Sequence, residues 1–414
     1  MLVRLSRPER GGGRTPVAFA AAALAVAAAL PSVASAQTGG IGLGQDVHAL
    51  ASVAVATDTN VAQSSAILAR LRGLVLEDNT VSPSVELDLT HPIGPQALFL
   101  TGVVAYDFYQ RNTVLNRERI DLTGGGRFRV SRCDATATLV YGRHLSTLQQ
   151  LAVTSVQNDT AIDESYKIQA DCSRGLGLSP SFSYSETRVD NTLAIQKASD
   201  SRLSAATGGI KYQRPNLGSL EVFGEYDKTT YPVGAVAGAP VSSGYTAVAG
   251  GVRYTRQVGS RLQADVQVSQ RTLKSSIPGG VGYTGLTYKA DLSYLVNKRL
   301  TVIGSFQNTT SPANLLGVSF QRTQGYNGSL RYQLTSRLLV SAGGSRQEQI
   351  YEGQGFNPLF ISNTRNTSAF GSAQWDFGRR FRLLLDFRWQ ESDTNITVLN
   401  YSDLRVGLTA SAKF

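Results

Sequence analysis

Leu404-Arg405-Val406-Gly407-Leu408-Thr409-Ala410-Ser411-Ala412-Lys413-Phe414 is the stretch that decides the fold of this chain. Leu404, Val406, Leu408, Ala410, Ala412 and Phe414 fall on one face of a strand, and Arg405, Gly407, Thr409, Ser411 and Lys413 fall on the other. Successive side chains of a strand point to opposite faces, so this segment has one apolar side and one wet side. Residues 381–391 repeat the pattern. Phe381, Leu383, Leu385, Phe387 and Trp389 share a face, while Arg382, Asp386, Arg388 and Gln390 share the opposite one, with Leu384 the exception. So many charges on one face do not suit a sheet buried on both sides. They suit a strand with lipid on one side and a wet lumen on the other.

The same period-2 alternation recurs along the chain in segments of roughly ten residues. The clearest are 81–90, 96–110, 119–130, 261–272, 284–295, 381–391 and 401–414. Between them lie 47–57, 135–146, 165–172, 178–187, 203–213, 219–228, 245–255, 300–308, 326–333, 337–347 and 367–376. This predicts an all-β chain of about 18 strands (16–20), an even number that lets both ends of a barrel lie on one side of a membrane. After residue 36 no apolar run approaches the roughly 20 residues of a membrane helix, so strands must do the crossing. The expected fold is a transmembrane antiparallel up-and-down β-barrel.

Connection lengths set its orientation. Residues 91–95, 131–134, 214–218, 256–260, 296–299, 334–336 and 377–380 are short links. Residues 147–164, 188–200, 229–244, 273–283 and 350–365 are longer. Barrels of the bacterial outer membrane keep short turns on the periplasmic side and long loops outside. Tyr212, Tyr254, Tyr294, Tyr332 and Trp375 each precede a short turn on the apolar face, as a headgroup-level aromatic girdle requires. Residues 59–80 resist this reading, since Ala66-Ile67-Leu68-Ala69-Arg70-Leu71 suits either a short helix or an irregular loop.

At the other end, Arg4, Arg7, Arg10 and Arg14 precede an apolar run over 17–30, then Pro31 and the small-x-small step Ala34-Ser35-Ala36. This is the pattern of a secretory signal peptide over 1–36, with a Gly-rich leader over 37–46 and one barrel domain over 47–414. The formal charge of +10 falls to +7 without the first 36 residues, which carry four Arg and Glu9. Acidic and basic residues are interleaved along the chain, which argues against a nucleic-acid partner. The expected surroundings are outer-membrane lipid and lipopolysaccharide.

Candidate chemistry is sparse. His48, His91 and His144 lack metal-ligand spacing, no motif marks a cofactor site, and no local nucleophile–base arrangement marks an enzyme. Gly124-Gly125-Gly126 lacks the helix and Lys-Ser/Thr ending of a phosphate loop, and reads as a bend or a close backbone approach. Cys133 and Cys172 fall at the short-turn ends of neighbouring strands, within reach of a disulfide or left as two thiols. The lumen-facing set is mixed in charge: Arg119, Asp121, Arg127, Arg129, Lys167, Asp171, Glu221, Glu225, Asp227, Arg261, Asp265, Arg271, Lys289, Asp291, Arg382, Asp386, Arg388, Asp403 and Arg405. Such a set either acts on a hydrophilic solute or pairs within itself. Arg132, Arg174, Arg214, Arg256, Lys298, Arg299, Arg337, Arg379 and Arg380 form a basic rim at the short turns.

The closing strand, with Leu404, Val406, Leu408 and terminal Phe414 on one face, resembles the C-terminal signal that the barrel-assembly machinery of the outer membrane reads. The Asp58-Thr59-Asn60-Val61 step, the Leu- and Arg-containing stretch after it and hairpins recurring along the chain resemble a family of outer-membrane porins encoded among exopolysaccharide genes. That resemblance implies a conduit for polysaccharide, working beside a periplasmic polysaccharide-export protein. A lumen rich in Tyr, Asn and Gln suits sugar hydroxyls. Two other readings stand beside it. One is a diffusion porin for small solutes, with 147–164 or 59–80 folded into the lumen. The other is a structural or enzymatic surface barrel.

Overall fold

The computed structural model describes residues 46–146, 160–172, 176–193, 197–232, 235–236, 239–240, 243–276, 281–312, 320–352 and 361–414. The expected signal peptide and nearly all of the leader lie outside these residues, as do 147–159 of the loop at 147–164. Eighteen strands form one sheet. They are β1 (Asp46–Asp58), β2 (Asp78–Ile93), β3 (Gln96–Tyr109), β4 (Arg117–Val130), β5 (Cys133–Leu145), β6 (Thr160–Asp171), β7 (Gly177–Asn191), β8 (Ser201–Arg214) and β9 (Gly218–Tyr231). The second half is β10 (Ser243–Val258), β11 (Leu262–Ser275), β12 (Tyr283–Leu295), β13 (Leu300–Pro312), β14 (Phe320–Gln333), β15 (Leu338–Glu352), β16 (Asn363–Phe377), β17 (Phe381–Thr394) and β18 (Tyr401–Lys413). A short helix, α1 (Ala66–Leu71), lies between β1 and β2.

Each strand pairs antiparallel with the next, and β1 pairs with both β2 and β18, so the sheet closes. Closure is what lets a sheet cross a bilayer, because it leaves no backbone donor or acceptor facing lipid. The seam between β1 and β18 runs from Leu50↔Lys413 to Asp58↔Arg405, and Phe414 N donates to Ala49 O beyond it (2.9 Å). Leu404, Val406, Leu408 and Phe414 lie on the outer face at this seam, with Phe414 45 % exposed.

The strands extend past the segments marked by alternation, chiefly at the long-loop end. The 381–391 segment belongs to a strand ending at Thr394, and 326–333 to one beginning at Phe320. The reason is physical. Beyond the bilayer both faces are wet, so Ser392-Asp393-Thr394 and Gln321-Arg322-Thr323-Gln324 lose the alternation while keeping the ladder. The links after β2, β4, β8, β10, β12, β14 and β16 are short and lie at one end. Their tight geometry takes left-handed residues, as at Gly378 (φ 65°) and, without a glycine, Ser131 (φ 57°).

Tyr212, Tyr254, Tyr294, Tyr332 and Trp375 all lie on the outer face near the short turns. A second outer band, which the alternation did not single out, runs nearer the long loops. It includes Tyr288, Phe306 and Tyr326, with ring centroids 5.0 Å and 4.8 Å apart along the row. Cys133 and Cys172 form a disulfide tying β5 to the end of β6, opposite their long connection. Closing a 39-residue span in this way stabilises by about 2–4 kcal/mol on the chain-entropy account. Gly125 does mark a close approach: a Cβ there would meet Ala137 O at 2.2 Å and the Phe99 ring at 2.7 Å.

Leu385 lies mid-strand on the outer face and Arg388 on the inner one. Leu385→Arg is expected to destabilise the folded barrel by about 2–4 kcal/mol if it sits at the midplane. Arg388→Leu is expected to fold normally and change conductance. Urea titration of the barrel folded in liposomes measures stability and planar-bilayer recording measures conductance, and equal folding defects would overturn the assignment of faces.

Candidate functional site

Cross-strand contacts identify the inner face. Ser52 Oγ donates to Ser411 Oγ (2.9 Å), and the Ser345 and Ser368 hydroxyls meet at 2.7 Å. The opposite face carries the exposed Val222, Leu286, Leu385 and Leu408. By this register Arg119, Asp121, Arg127 and Arg129 of β4 face the lumen, with Lys167 and Asp171 of β6 and Glu221, Glu225 and Asp227 of β9. So do Asp265 and Arg271 of β11, Lys289 and Asp291 of β12, Arg382, Asp386 and Arg388 of β17, and Asp403 and Arg405 of β18. Arg261 precedes β11 by one residue, and its carbonyl accepts from Leu295 N (2.7 Å), one rung beyond Leu262↔Tyr294.

Much of this charge is paired. Arg271 reaches Glu225 (2.6 Å) and Asp227, and Lys289 reaches Asp291 (3.0 Å). Other partners were not singled out from the sequence: Asp107 for Arg119 (3.8 Å), Asp134 for Arg129 (2.8 Å), Arg253 for Asp265 (3.0 Å), Asp376 for Arg382 (2.8 Å) and Lys211 for Asp171. Parity was the missed signal, since Lys211 and Arg253 fall at inward positions of strands already delimited. Arg388 and Arg405 stand directly opposite each other, an arrangement that costs energy unless neighbours screen it. Arg127 lies over the Phe99 ring, 5.7 Å from its centroid.

Two elements leave the wall and enter the mouth. The first is the end of the β13–β14 hairpin. The β12–β13 ladder stops at Tyr288↔Asn308, while β13–β14 pairing continues to Pro312↔Phe320. At the fork Asn308 Nδ2 donates to Leu286 O (3.1 Å), satisfying a carbonyl the ladder has released. Phe320 is fully buried against Tyr245, Ala247 and Leu273 on the inner face of β10 and β11, with its ring 6.3 Å from both Tyr245 and Tyr283. Four strand spacings, roughly 19 Å, separate β14 from β10 along a continuous wall. The hairpin end has therefore moved inside the barrel, so that its outer face packs on the inner face of β10–β12. Beside it the side chains of Arg271 and Asp227 retain only 12 % and 6 % exposure.

The second element is the segment carrying α1, so residues 59–77 contain the helix and lie within the mouth. Ser65 caps the helix by accepting from Leu68 N. Leu68 is buried with Ile361 and Leu399 against Tyr351, and Ala69 and Leu74 with Leu115 against Tyr109. Tyr351 and Tyr109 are inner-face residues of β15 and β3, six strand spacings or roughly 29 Å apart along the wall. The segment thus spans the closing seam from inside. Asn60 fastens it: its N–H donates to Asp58 Oδ1 (2.8 Å) and Asp403 Oδ1 (3.3 Å), and its side-chain amide donates to Ser64 O (3.0 Å) and Ser402 O (3.1 Å).

A closed barrel with an apolar outer band, aromatic rows at both margins and a polar interior is a β-barrel of the outer membrane. The chain belongs to the family described as "Putative beta-barrel porin 2", which matches residues 51–414. Porins are channels of the Gram-negative outer membrane, whose barrels keep short turns on the periplasmic side and long loops outside. No curated protein matches the chain. Similar solved structures include OccK2 (OpdF) of Pseudomonas aeruginosa, at 12% identity over 89% of this chain and 97% of that one, TM-score 0.47. OccAB3 of Acinetobacter baumannii is similar at 11% identity over 89% of this chain and 100% of that one, TM-score 0.45. The outer membrane protein opdK of Pseudomonas aeruginosa matches at 8% identity over 89% and 99%, TM-score 0.46.

Phe320→Ala removes the ring that holds the hairpin inside, a truncation of the kind that costs about 3–5 kcal/mol in a packed site. Single-channel recording is expected to show larger or noisier open-state current with the barrel still folded. Wild-type current from a folded variant would mean that the hairpin does not bound the pore.

Proposed function

We propose that this porin is a diffusion channel for small hydrophilic solutes. The observation that carries the reading is the narrowing of the mouth from within, by a hairpin anchored through Phe320 and a helical segment anchored through Leu68 and Asn60. A conduit for a long polysaccharide needs a clear passage along its whole length, and elements held by buried side chains oppose that. The charges along the lumen are largely offset by near neighbours, so the pore's fixed field is local and alternating. Such a field orients a small dipolar solute as it passes. The resemblance to porins encoded among exopolysaccharide genes brings no sugar-binding residue to this chain and no support for a polymer substrate.

Purified protein in planar bilayers is expected to give discrete, ohmic current steps, and liposomes containing it are expected to swell in small sugars or amino acids. Loss of surface polysaccharide with periplasmic accumulation in a strain lacking the chain, together with a silent bilayer, would reverse the proposal in favour of polymer export.

A further inference from the structure

Charge is distributed unevenly around the lumen. On β9–β12 the inward positions carry Glu225, Asp227, Asp265, Arg271, Lys289 and Asp291. On β13–β16 the register assembles rows with no charge at all. One row runs Gln307, Gly325, Gln347, Asn366 across four strands. The next toward the periplasm runs Ser305, Asn327, Ser345, Ser368, and the next toward the outside runs Thr309, Thr323, Gln349, Thr364. Among the described residues of inward parity on these strands only Arg331 and Asp376 are charged, both near the periplasmic ends; Arg322, on the hairpin's outer face, lies over the Tyr283 ring (5.9 Å) and pairs with Glu352 (3.7 Å).

We infer that this wall is a recognition lane for uncharged, polyhydroxylated solutes of sugar size, an inference that rests on the channel reading above. A carboxamide offers an acceptor and two donors a short distance apart, which matches the paired donor and acceptor of neighbouring hydroxyls on a sugar. Exchange of neutral hydrogen bonds with water is nearly balanced, each worth about 0.5–1.5 kcal/mol net. A row of such contacts therefore holds a solute long enough to guide it and weakly enough to release it. Fixed charges do not offer this to a neutral solute, because they keep their own hydration or their ion-pair partners.

One further feature supports the lane. The inward-folded hairpin extends the neutral surface. Its outer face covers the wall beside the Arg271–Asp227 pair, and its inner face presents Ser311 and Gln321, which bond to each other (3.2 Å). At the narrowed mouth the solute therefore meets hydroxyls and amides where the bare wall of β10–β12 would have offered Tyr245, Leu273 and Tyr283, with the Arg271–Asp227 pair beside them.

The test compares proteoliposome uptake of glucose, gluconate and glucosamine, which share a carbon skeleton and differ in charge, alongside KCl conductance. Wild-type protein is expected to pass glucose at least threefold faster than either charged analogue. In Gln347→Glu combined with Asn366→Asp, nearly isosteric changes, glucose uptake is expected to fall at least fivefold with KCl conductance retained. Single Gln347→Glu serves as a second variant should the pair fail to fold. Glucose uptake within twofold of wild type in a conducting variant, or no preference for glucose in the wild type, overturns the lane alone. Absence of any conductance in the wild type overturns the channel reading and the lane with it.

Discussion

Everything in this structure depends on the hydrogen-bond ladder between the first and last strands. Inside a bilayer an unpaired backbone group costs several kcal/mol, so an open edge on either β1 or β18 is not tolerable. The ladder joins residues 347 to 363 positions apart in sequence, and it must form for the lumen to exist at all. Long-range pairing of this kind is slow to find and leaves edges exposed until it is made. The terminal aromatic, which lies on the outer face at this seam, and the buried polar cluster on the inside of the same seam both act where the demand is greatest.

The cluster explains the Asp58-Thr59-Asn60 step. Asp58 ends β1 on the inner face, and Asn60 turns back to bond across the seam to Ser402 and Asp403. Thr59 reinforces it from both sides, since its N–H donates to Leu404 O (3.0 Å) and its hydroxyl accepts from Leu404 N (2.8 Å). The chain leaving the seam then carries α1 along the inside of the mouth. A single short run of polar residues thereby joins barrel closure to pore narrowing, so a change that loosens one loosens the other.

The second narrowing element has a different origin. The β13–β14 hairpin departs from β12 because its ladder stops early, and it is held by an aromatic contact rather than by polar bonds. Its outer face, which would otherwise meet water above the membrane, finds Tyr245, Leu273 and Tyr283 instead. This also accounts for the deep burial of Tyr245 and Leu273 (each 1 % exposed), which is unusual for inner-face positions of a wide barrel. The lumen is consequently not a uniform polar tube. One side carries paired charge, another carries amides and hydroxyls, and the hairpin lays the second kind over the aromatic wall beside the first.

Alternation by itself determined the class of the fold, the number of strands, the inward and outward faces and the end at which the short turns lie. Strand geometry makes each of these a local property, readable wherever one face meets lipid and the other water. Alternation fell short at the outer strand ends, where both faces are wet. The sequence left α1 open as a short helix or an irregular loop, and it was silent about the inward hairpin. Phe320 sits on its strand's outer face and gives no local sign that it will be buried inside the barrel. Which charges meet, which rows of neutral side chains align, and what occupies the mouth were decided only by the tertiary structure. Those features depend on register between strands distant in sequence, and on the point at which one ladder ends and its neighbour continues.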